Sequence, residues 1–348
     1  MASIYEVAKE AGVSTSTVSR TFRTPNLLRR ETEKKVLDAA LKLNYRPHRA
    51  RSSAEPVATA SESLNDYNLG LIFLSLYGDT LTSNEFYGPV LAATAQEASD
   101  LGMNLVVNTT SPARIISEPP KIVRDRSVDG LVLTGTVDVD IINHFRDWQT
   151  PIVVIDNPDP TGCHDTIITN SFNGAYESTA YLLKRGHTHI GFVTAEEEHQ
   201  SFKDRFRAYL AACYDFGCPV TPDMVLAVRP GTDGHEQIAD YLRRPDRPTA
   251  IVACNDINAC NVMIVCRYLG IEIPRDLSIV GFDDIERSRR LNPPLTTVSV
   301  DKEHMGRLAI RRLRSRLHDA AAGIEPEPPL MIVSPVTLIE RASCRAIS

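Results

Sequence analysis

Thr15, Ser16, Thr17, Ser19 and Arg20 stand close together on one short stretch and have the sizes that read DNA. Short hydroxyls reach base edges from a helix lying in the major groove, and an arginine near its far end can take a guanine through O6 and N7. Such groups need a helix to carry them and a second helix to brace it, and the flanking residues predict both. Ile4, Val7, Ala8 and Ala11 recur at i, i+3, i+4 and i+7, so they line one face of a helix. Gly12 can take the positive φ that ends it, and Ser14 is a suitable N-cap for a second helix that buries Val18. With Ala8 small and Gly12 tight, the two helices cross at close range as a helix-turn-helix. A helical hairpin with a solvated polar face would show the same pattern. For Thr17 and Ser19 the readings are phosphate contact or simple solvation, and phosphate contact is favoured.

Charge adds to the DNA reading. Residues 30–43 predict a third amphipathic helix, with Val36, Ala39, Ala40 and Leu43 inward. Residues 1–55 hold eleven Lys and Arg against six Asp and Glu, a net of +5, whereas the whole chain carries −6. The remainder therefore carries −11, and a basic head on an acidic body suits docking on phosphate by the head alone.

The stretch IYEVAKEAGVSTSTVSRTF, followed by ETEKKVLDAALKLNYRP, closely resembles the DNA-binding head of the LacI/GalR family of bacterial transcription regulators. The resemblance continues in order through SNEFYGPVLAATAQEASDLGMNLVV, RSVDGLVLTG, NGAYESTAYLLKRGHTHIGFV, AIVACNDINA, GIEIPRDLSIVGFDDIE and NPPLTTV. It implies that Thr15 and Ser16 read bases and that Arg20 assists. It also implies a hinge helix of Ala-Arg-x-Leu type whose leucine wedges into the minor groove. Here the sequence departs. Read without gaps, HRARSSAEP puts Ala54 at the leucine position; with one residue deleted, Ser53 takes it. The apolar wedge is absent, although Arg49 and Arg51 can still hold phosphates or enter a narrow minor groove. The polar stretch from Ser52 to Asn68 reads as a flexible linker.

Beyond it, strand and helix signals alternate: NLGLIFLSL, MNLVVN, GLVLTG and PIVVID, then HIGFVTA, VLAVR, TAIVAC and LSIVGFDD. Alternation predicts parallel sheets flanked by helices. Two such halves fit the two-lobed, periplasmic-binding-protein-like α/β body that the resemblance implies. The expected division is a head at 1–48, a hinge and linker at 49–67 and a body at 68–348. Crossovers near Pro158 and Leu291 put residues 68–158 and 291–322 in lobe 1, and 159–290 and 323–342 in lobe 2.

Ligands of open α/β sheets bind beyond the carboxyl ends of the strands, and that rule selects candidates for a small-molecule effector. Where the family has Ser-Asn-Pro-Phe-Phe, this chain has Ser83, Asn84, Glu85, Phe86 and Tyr87. Phe86 and Tyr87 can stack on a sugar ring and Asn84 can pair with hydroxyls; capping and packing at the helix start compete with that role. Arg205 matches the arginine many members place on the ligand. Asn255 and Asp256 follow the strand TAIVAC, where a carboxylate either caps the next helix or accepts from ligand hydroxyls, and the resemblance favours the ligand for Asp256. Asp283 ends SIVGFDD. Ser201 and Arg229 occupy positions that often line the pocket wall.

Other features point elsewhere. His187 and His189 read as structural, Glu196 to Glu198 as a solvated loop, Trp148 as packing, and LRRPDRP and ERSRR as solvent-facing arginines. Seven cysteines without CxxC pairing are expected as reduced thiols, and neither a metal nor a cofactor is called for. No apolar run approaches the roughly 18 residues of a membrane span, and no signal-peptide pattern opens the chain. The expectation is a cytoplasmic, non-enzymatic transcriptional regulator: a homodimeric repressor of a carbohydrate operon on pseudo-palindromic operator DNA, released or engaged by a sugar. The alternatives are a sugar-binding protein without DNA function and a regulator responding to a nucleobase or other metabolite. If the basic head docks on phosphate, log K for DNA falls steeply and linearly with log salt, as titration of the full chain will show; a slope near zero contradicts it.

Overall fold

The computed structural model describes residues 3–23, 30–43, 67–76, 84–146, 148–196, 199–229 and 232–347. The chain divides into two compact units, residues 1–60 and 61–348.

In the first unit, α1 (Ile4–Ala11) begins with a capping box. The Ser3 hydroxyl accepts from the Glu6 amide, and the Glu6 carboxylate accepts from the Ser3 amide at 2.6 Å. Two orphan helix-end donors are thereby satisfied. Gly12 closes α1 at φ +66°, in the left-handed region that a side chain resists. Ser14 accepts from the Thr17 amide at 3.2 Å and starts α2 (Thr15–Arg23). A third helix, α3 (Arg30–Lys42), completes a core in which Val7, Val18 and Val36 are fully buried. Residues 44–66, which include the hinge reading at Ser53 and Ala54 and the two arginines Arg49 and Arg51, lie outside the described residues.

The second unit holds two six-stranded sheets. Lobe 1 contains β1 (Asn68–Leu74), α4 (Tyr87–Asp100), β2 (Asn104–Thr110), α5 (Pro112–Ser117), α6 (Lys121–Arg124), β3 (Gly130–Gly135), α7 (Val139–Phe145), β4 (Ile152–Ile155) and β5 (Asp165–Thr169). Lobe 2 contains α8 (Ser171–Leu183), β6 (Ile190–Ala195), α9 (Gln200–Asp215), β7 (Val225–Val228), α10 (Thr232–Arg243), β8 (Ala250–Ala253), α11 (Asp256–Leu269), β9 (Ser278–Asp283), α12 (Glu286–Arg290) and β10 (Thr296–Val300). The chain then returns to lobe 1 as α13 (Lys302–Ala322) and β11 (Met331–Ser334), and finishes in lobe 2 as β12 (Val336–Ile339). The orders are β11-β5-β4-β3-β1-β2 and β12-β10-β9-β8-β6-β7. Every pairing is parallel except β10 with β12. Strands β3, β4, β8 and β9 are buried throughout, as strands covered by helices on both faces must be.

This topology corrects the lobe boundaries. The first crossing lies at Asn170 and not near Pro158, because Asp165 to Thr169 add a strand to the open edge of β4 and satisfy its backbone groups. The return lies at Asp301 and not near Leu291, because Thr296 to Ser299 pair with β9 in lobe 2. A third crossing falls between Ser334 and Val336, where Pro335 supplies no N–H to continue a ladder. Residues 331–334 therefore belong to lobe 1.

Candidate functional site

In the head, Ser16 is exposed on α2, whereas Thr15 and Thr17 are half-buried. The Ser14 hydroxyl lies 2.8 Å from that of Ser16 and 2.9 Å from that of Thr17, so the N-terminus of α2 carries a linked cluster of small hydroxyls. Ser19 and Arg20 belong to α2, and their side chains lie outside the described set.

In the body, the carboxyl ends of the strands open into a cavity of about 310 Å³ with walls from both lobes. Lobe 1 contributes Asn84, Phe86, Tyr87 and Asp156; lobe 2 contributes His199, Ser201, Arg205, Asn255 and Asp283. Of the effector residues expected from the sequence, Asn84, Phe86, Tyr87, Ser201, Arg205, Asn255 and Asp283 meet here. Asp256 and Arg229 do not. A second, more open depression of about 640 Å³ lies between α4 and α13. It is far from the strand ends, and no side-chain atom lining it is both buried and unpaired.

Each wall is built locally. Asn84 accepts from the Phe86 and Tyr87 amides at 3.0 and 2.9 Å, which sets the start of α4 and aims both rings inward. Those rings meet edge to face at 4.9 Å. The Tyr87 hydroxyl donates to Asp156 Oδ2 at 2.9 Å. Burial first, and then the adjacent Asp156 charge, hold the Tyr87 phenol well above its ordinary pKa, so it serves as a donor. Opposite, Arg205 is only 2 % exposed. Its Nη1 donates to the Cys254 carbonyl at 2.6 Å, and its guanidinium lies 3.7 Å over the Phe282 ring. Nη2 stands 3.3 Å from Asp283 Oδ1, a charge contact without hydrogen-bond geometry. Asn255 caps α11 through the Asn258 amide at 2.9 Å.

Asp156, immediately after β4, and Asp283, the last residue of β9, have φ of +65° and +110°. Backbone strain of this kind at strand ends is typical of sites where a side chain must be aimed. Asn157 helps to hold the first, donating to the Gly135 carbonyl at 2.7 Å. Lys302 holds the second, donating to the Asp283 carbonyl. Asp156 Oδ1, Asp283 Oδ1, His199 Nε2 and Arg205 Nε are buried and make no hydrogen bond among the described residues. Such groups are destabilising unless a ligand meets them.

Asp256 is instead a structural group, fully buried beneath the cavity wall. It accepts from the Thr297 hydroxyl and from the Ile285 amide at 2.9 Å. A side chain at Gly281 would meet its Oδ1 at 2.1 Å, so the glycine in β9 makes room for it. The placement after TAIVAC was legible, but the helix start turns this carboxylate inward and leaves Asn255 facing the cavity. Arg229 turns outward to Glu196, with Nε 3.1 Å from Oε1. The basic run ERSRR is not simply solvated, because Arg287 bridges to Glu85 at 2.9 Å and Arg289 to Asp284 at 2.7 Å. His187 is structural as expected, with Nδ1 3.0 Å from the Thr249 hydroxyl and Nε2 3.1 Å from the Arg345 carbonyl.

Sequence reasoning passed over Asp156 and His199. Asp156 is the last residue of PIVVID and satisfies the same strand-end rule that selected Asp283, so its signal was present. His199 had none beyond lying ahead of α9.

Residues 3–48 match the model for bacterial regulatory proteins of the lacI family, and residues 179–344 that for a periplasmic binding protein-like domain. The HTH-type transcriptional repressor PurR of Pasteurella multocida is 31% identical over 341 residues, covering 95% of this chain and 98% of that protein. The chain belongs to the lacI family. A second relative, PurR of Haemophilus influenzae strain ATCC 51907, is 30% identical over the full length of both chains. Among solved structures, a CelR–cellobiose complex superposes with a TM-score of 0.72 at 22% identity, covering 99% of this chain and 100% of that one. The lac repressor dimer bound to operator and the anti-inducer ONPF gives 0.68 at 24%, covering 99% of each. These likenesses establish the two-lobed α/β body behind a helix-turn-helix head. This lacI-family chain is a DNA-binding transcriptional repressor with an effector-binding body, of a class that is not enzymatic. Among the described residues no helix is long and apolar enough to cross a membrane.

Two buried carboxyls make stability depend on pH. Burial, reinforced by the Asp283 charge and opposed by the bonds from Thr297, Ile285 and Ser288, pushes Asp256 up to about 7. Burial pushes Asp283 up to about 6, against the Arg205 and Lys302 charges and with the Asp156 charge adding to the rise. Both lie above the roughly 3.9 of an unfolded aspartate. The folded state therefore binds the extra protons, and this contribution is full below about pH 4 and lost as pH rises through about 7. Asp256→Asn keeps an acceptor for Ile285 without the titration. Its melting temperature will fall less than that of the parent between pH 5 and 8; equal profiles for the two proteins contradict the assignment.

Proposed function

We propose that this repressor controls a carbohydrate-utilisation operon in the cytoplasm, as a homodimer on a pseudo-palindromic operator, with a sugar as its effector. The observation that carries the effector reading is the pair of buried acceptors, Asp156 Oδ1 and Asp283 Oδ1, beside the Arg205 guanidinium and the aromatic edge of Phe86 and Tyr87. Carboxylates accept from ring hydroxyls, a guanidinium donates to hydroxyl or ring oxygens, and an aromatic wall covers the apolar face of the ring. Asn84, Ser201 and Asn255 add polar atoms on both sides. In the head, Thr15, Ser16 and Arg20 read bases, and Thr17 and Ser19 hold phosphate. Arg49 and Arg51 hold phosphate or enter a narrow minor groove. The effector would bridge the lobes, alter the angle between them, and so change the spacing of the two heads on adjacent half-sites.

A nucleobase effector is the second reading, favoured by the PurR relatives at 30–31% identity. A thermal-shift screen of pentoses, hexoses and cellobiose against guanine and hypoxanthine separates the two, because a ligand at 100 times its Kd adds about 2.7 kcal/mol of stability. The sugar reading expects a shift from a sugar and none from the bases. It further expects Asp283→Asn to weaken the sugar by about 1–3 kcal/mol in calorimetry, since one acceptor becomes a donor. Stabilisation by a base alone overturns the sugar and leaves the repressor.

A further inference from the structure

His199 precedes α9 and reaches across the cavity from lobe 2. Its Nδ1 accepts from the Ser201 amide at 3.4 Å and lies 2.7 Å from the Ser201 hydroxyl. These contacts assign the neutral tautomer: with Nδ1 used as an acceptor, the proton sits on Nε2. Nε2–H is therefore a donor, it is buried, and it makes no hydrogen bond. Asp156 of lobe 1 faces it, with Oδ2 3.7 Å away, beyond hydrogen-bond range. Tyr87 already donates to that oxygen, and the other, Oδ1, is buried and unpartnered. A settled structural pair would have closed this gap. Instead a donor from one lobe and an acceptor from the other face each other slightly too far apart to bond.

We propose that His199 and Asp156 form a two-lobe clamp for a single ligand hydroxyl, which accepts from His199 Nε2 and donates to Asp156 Oδ1. A hydroxyl, unlike an ether or carbonyl oxygen, gives and takes a hydrogen bond through the same oxygen, so it can span both partners at once. His199 is then the residue that makes the site selective for a hydroxylated ring over its deoxy counterpart, because removing that oxygen leaves two buried groups unmet. The inference rests on the sugar reading of the cleft and deepens it.

The test is a calorimetric cycle on the full chain. D-glucose, D-galactose, D-ribose and cellobiose, the monodeoxy derivatives of whichever binds, and guanine and hypoxanthine are titrated into the parent, His199→Leu, His199→Gln and Asp156→Asn proteins. The clamp expects one monodeoxy sugar to bind the parent at least 10-fold more weakly than its hydroxylated form. That difference shrinks to under 3-fold in His199→Leu and in Asp156→Asn, and is partly restored in His199→Gln, which keeps a donor of similar reach. Asp156 tolerates asparagine at its positive φ, so the second variant carries the test if His199→Leu fails to fold. If a sugar binds and every deoxy penalty is the same in parent and variants, the clamp is overturned while the sugar reading stands. Binding by a base alone, or by no sugar, overturns the reading and the clamp with it.

Discussion

The body is arranged around a buried charge that the protein itself leaves incompletely matched. Asp283 sits at the end of β9, removed from water, with Arg205 at 3.3 Å and Lys302 held against its backbone carbonyl. Burying a carboxylate is strongly unfavourable unless charge and hydrogen bonds compensate. Here the charges are present but Oδ1 lacks a hydrogen bond, and the positive φ adds strain. Arg205 is held by the Cys254 carbonyl and the Phe282 ring in a position that does not complete the pair. Asp156, immediately after β4 in lobe 1, likewise combines a positive φ with an unpaired Oδ1. Two parallel sheets thus present strained carboxylates toward the same space, and a bound molecule with donors relieves both.

That arrangement links binding to lobe geometry. Groups from opposite lobes already approach each other at the cavity, with His199 near Asp156 and Arg287 bridged to Glu85. Glu85 stands where the family's usual motif has a proline, which could not make this bridge. It is half-exposed and worth at most about 1 kcal/mol. An effector shifts the lobes only by its differential affinity for their arrangements, and contacts made to both walls at once supply such a difference.

Much of this was legible in the sequence. The i, i+3, i+4, i+7 spacing of Ile4, Val7, Ala8 and Ala11, with Gly12 and Ser14, specified α1, its stop and the start of α2, because these are local signals. Buried parallel strands are continuous apolar runs, and those were found. Strands β5, β10, β11 and β12 were missed because Thr and Ser interrupt the apolar run in each, and β11 and β12 are further half-exposed and pair with strands distant in sequence. The lobe boundaries were misplaced for the same reason. Asp256 shows the limit at the site: adjacency to a strand end marked it, but only the packing of Thr297, Ile285 and Gly281 decides that it points inward. His199 became visible only once Asp156 faced it from the other lobe.

The central claim is that a small molecule held between the lobes and DNA held by the head are coupled. The most direct measurement is effector affinity by calorimetry with and without saturating operator DNA, beside operator affinity with and without saturating effector. Coupling of about 1–3 kcal/mol must appear with the same factor in both directions. Effector binding that is indifferent to operator, with operator binding indifferent to effector, would contradict the account.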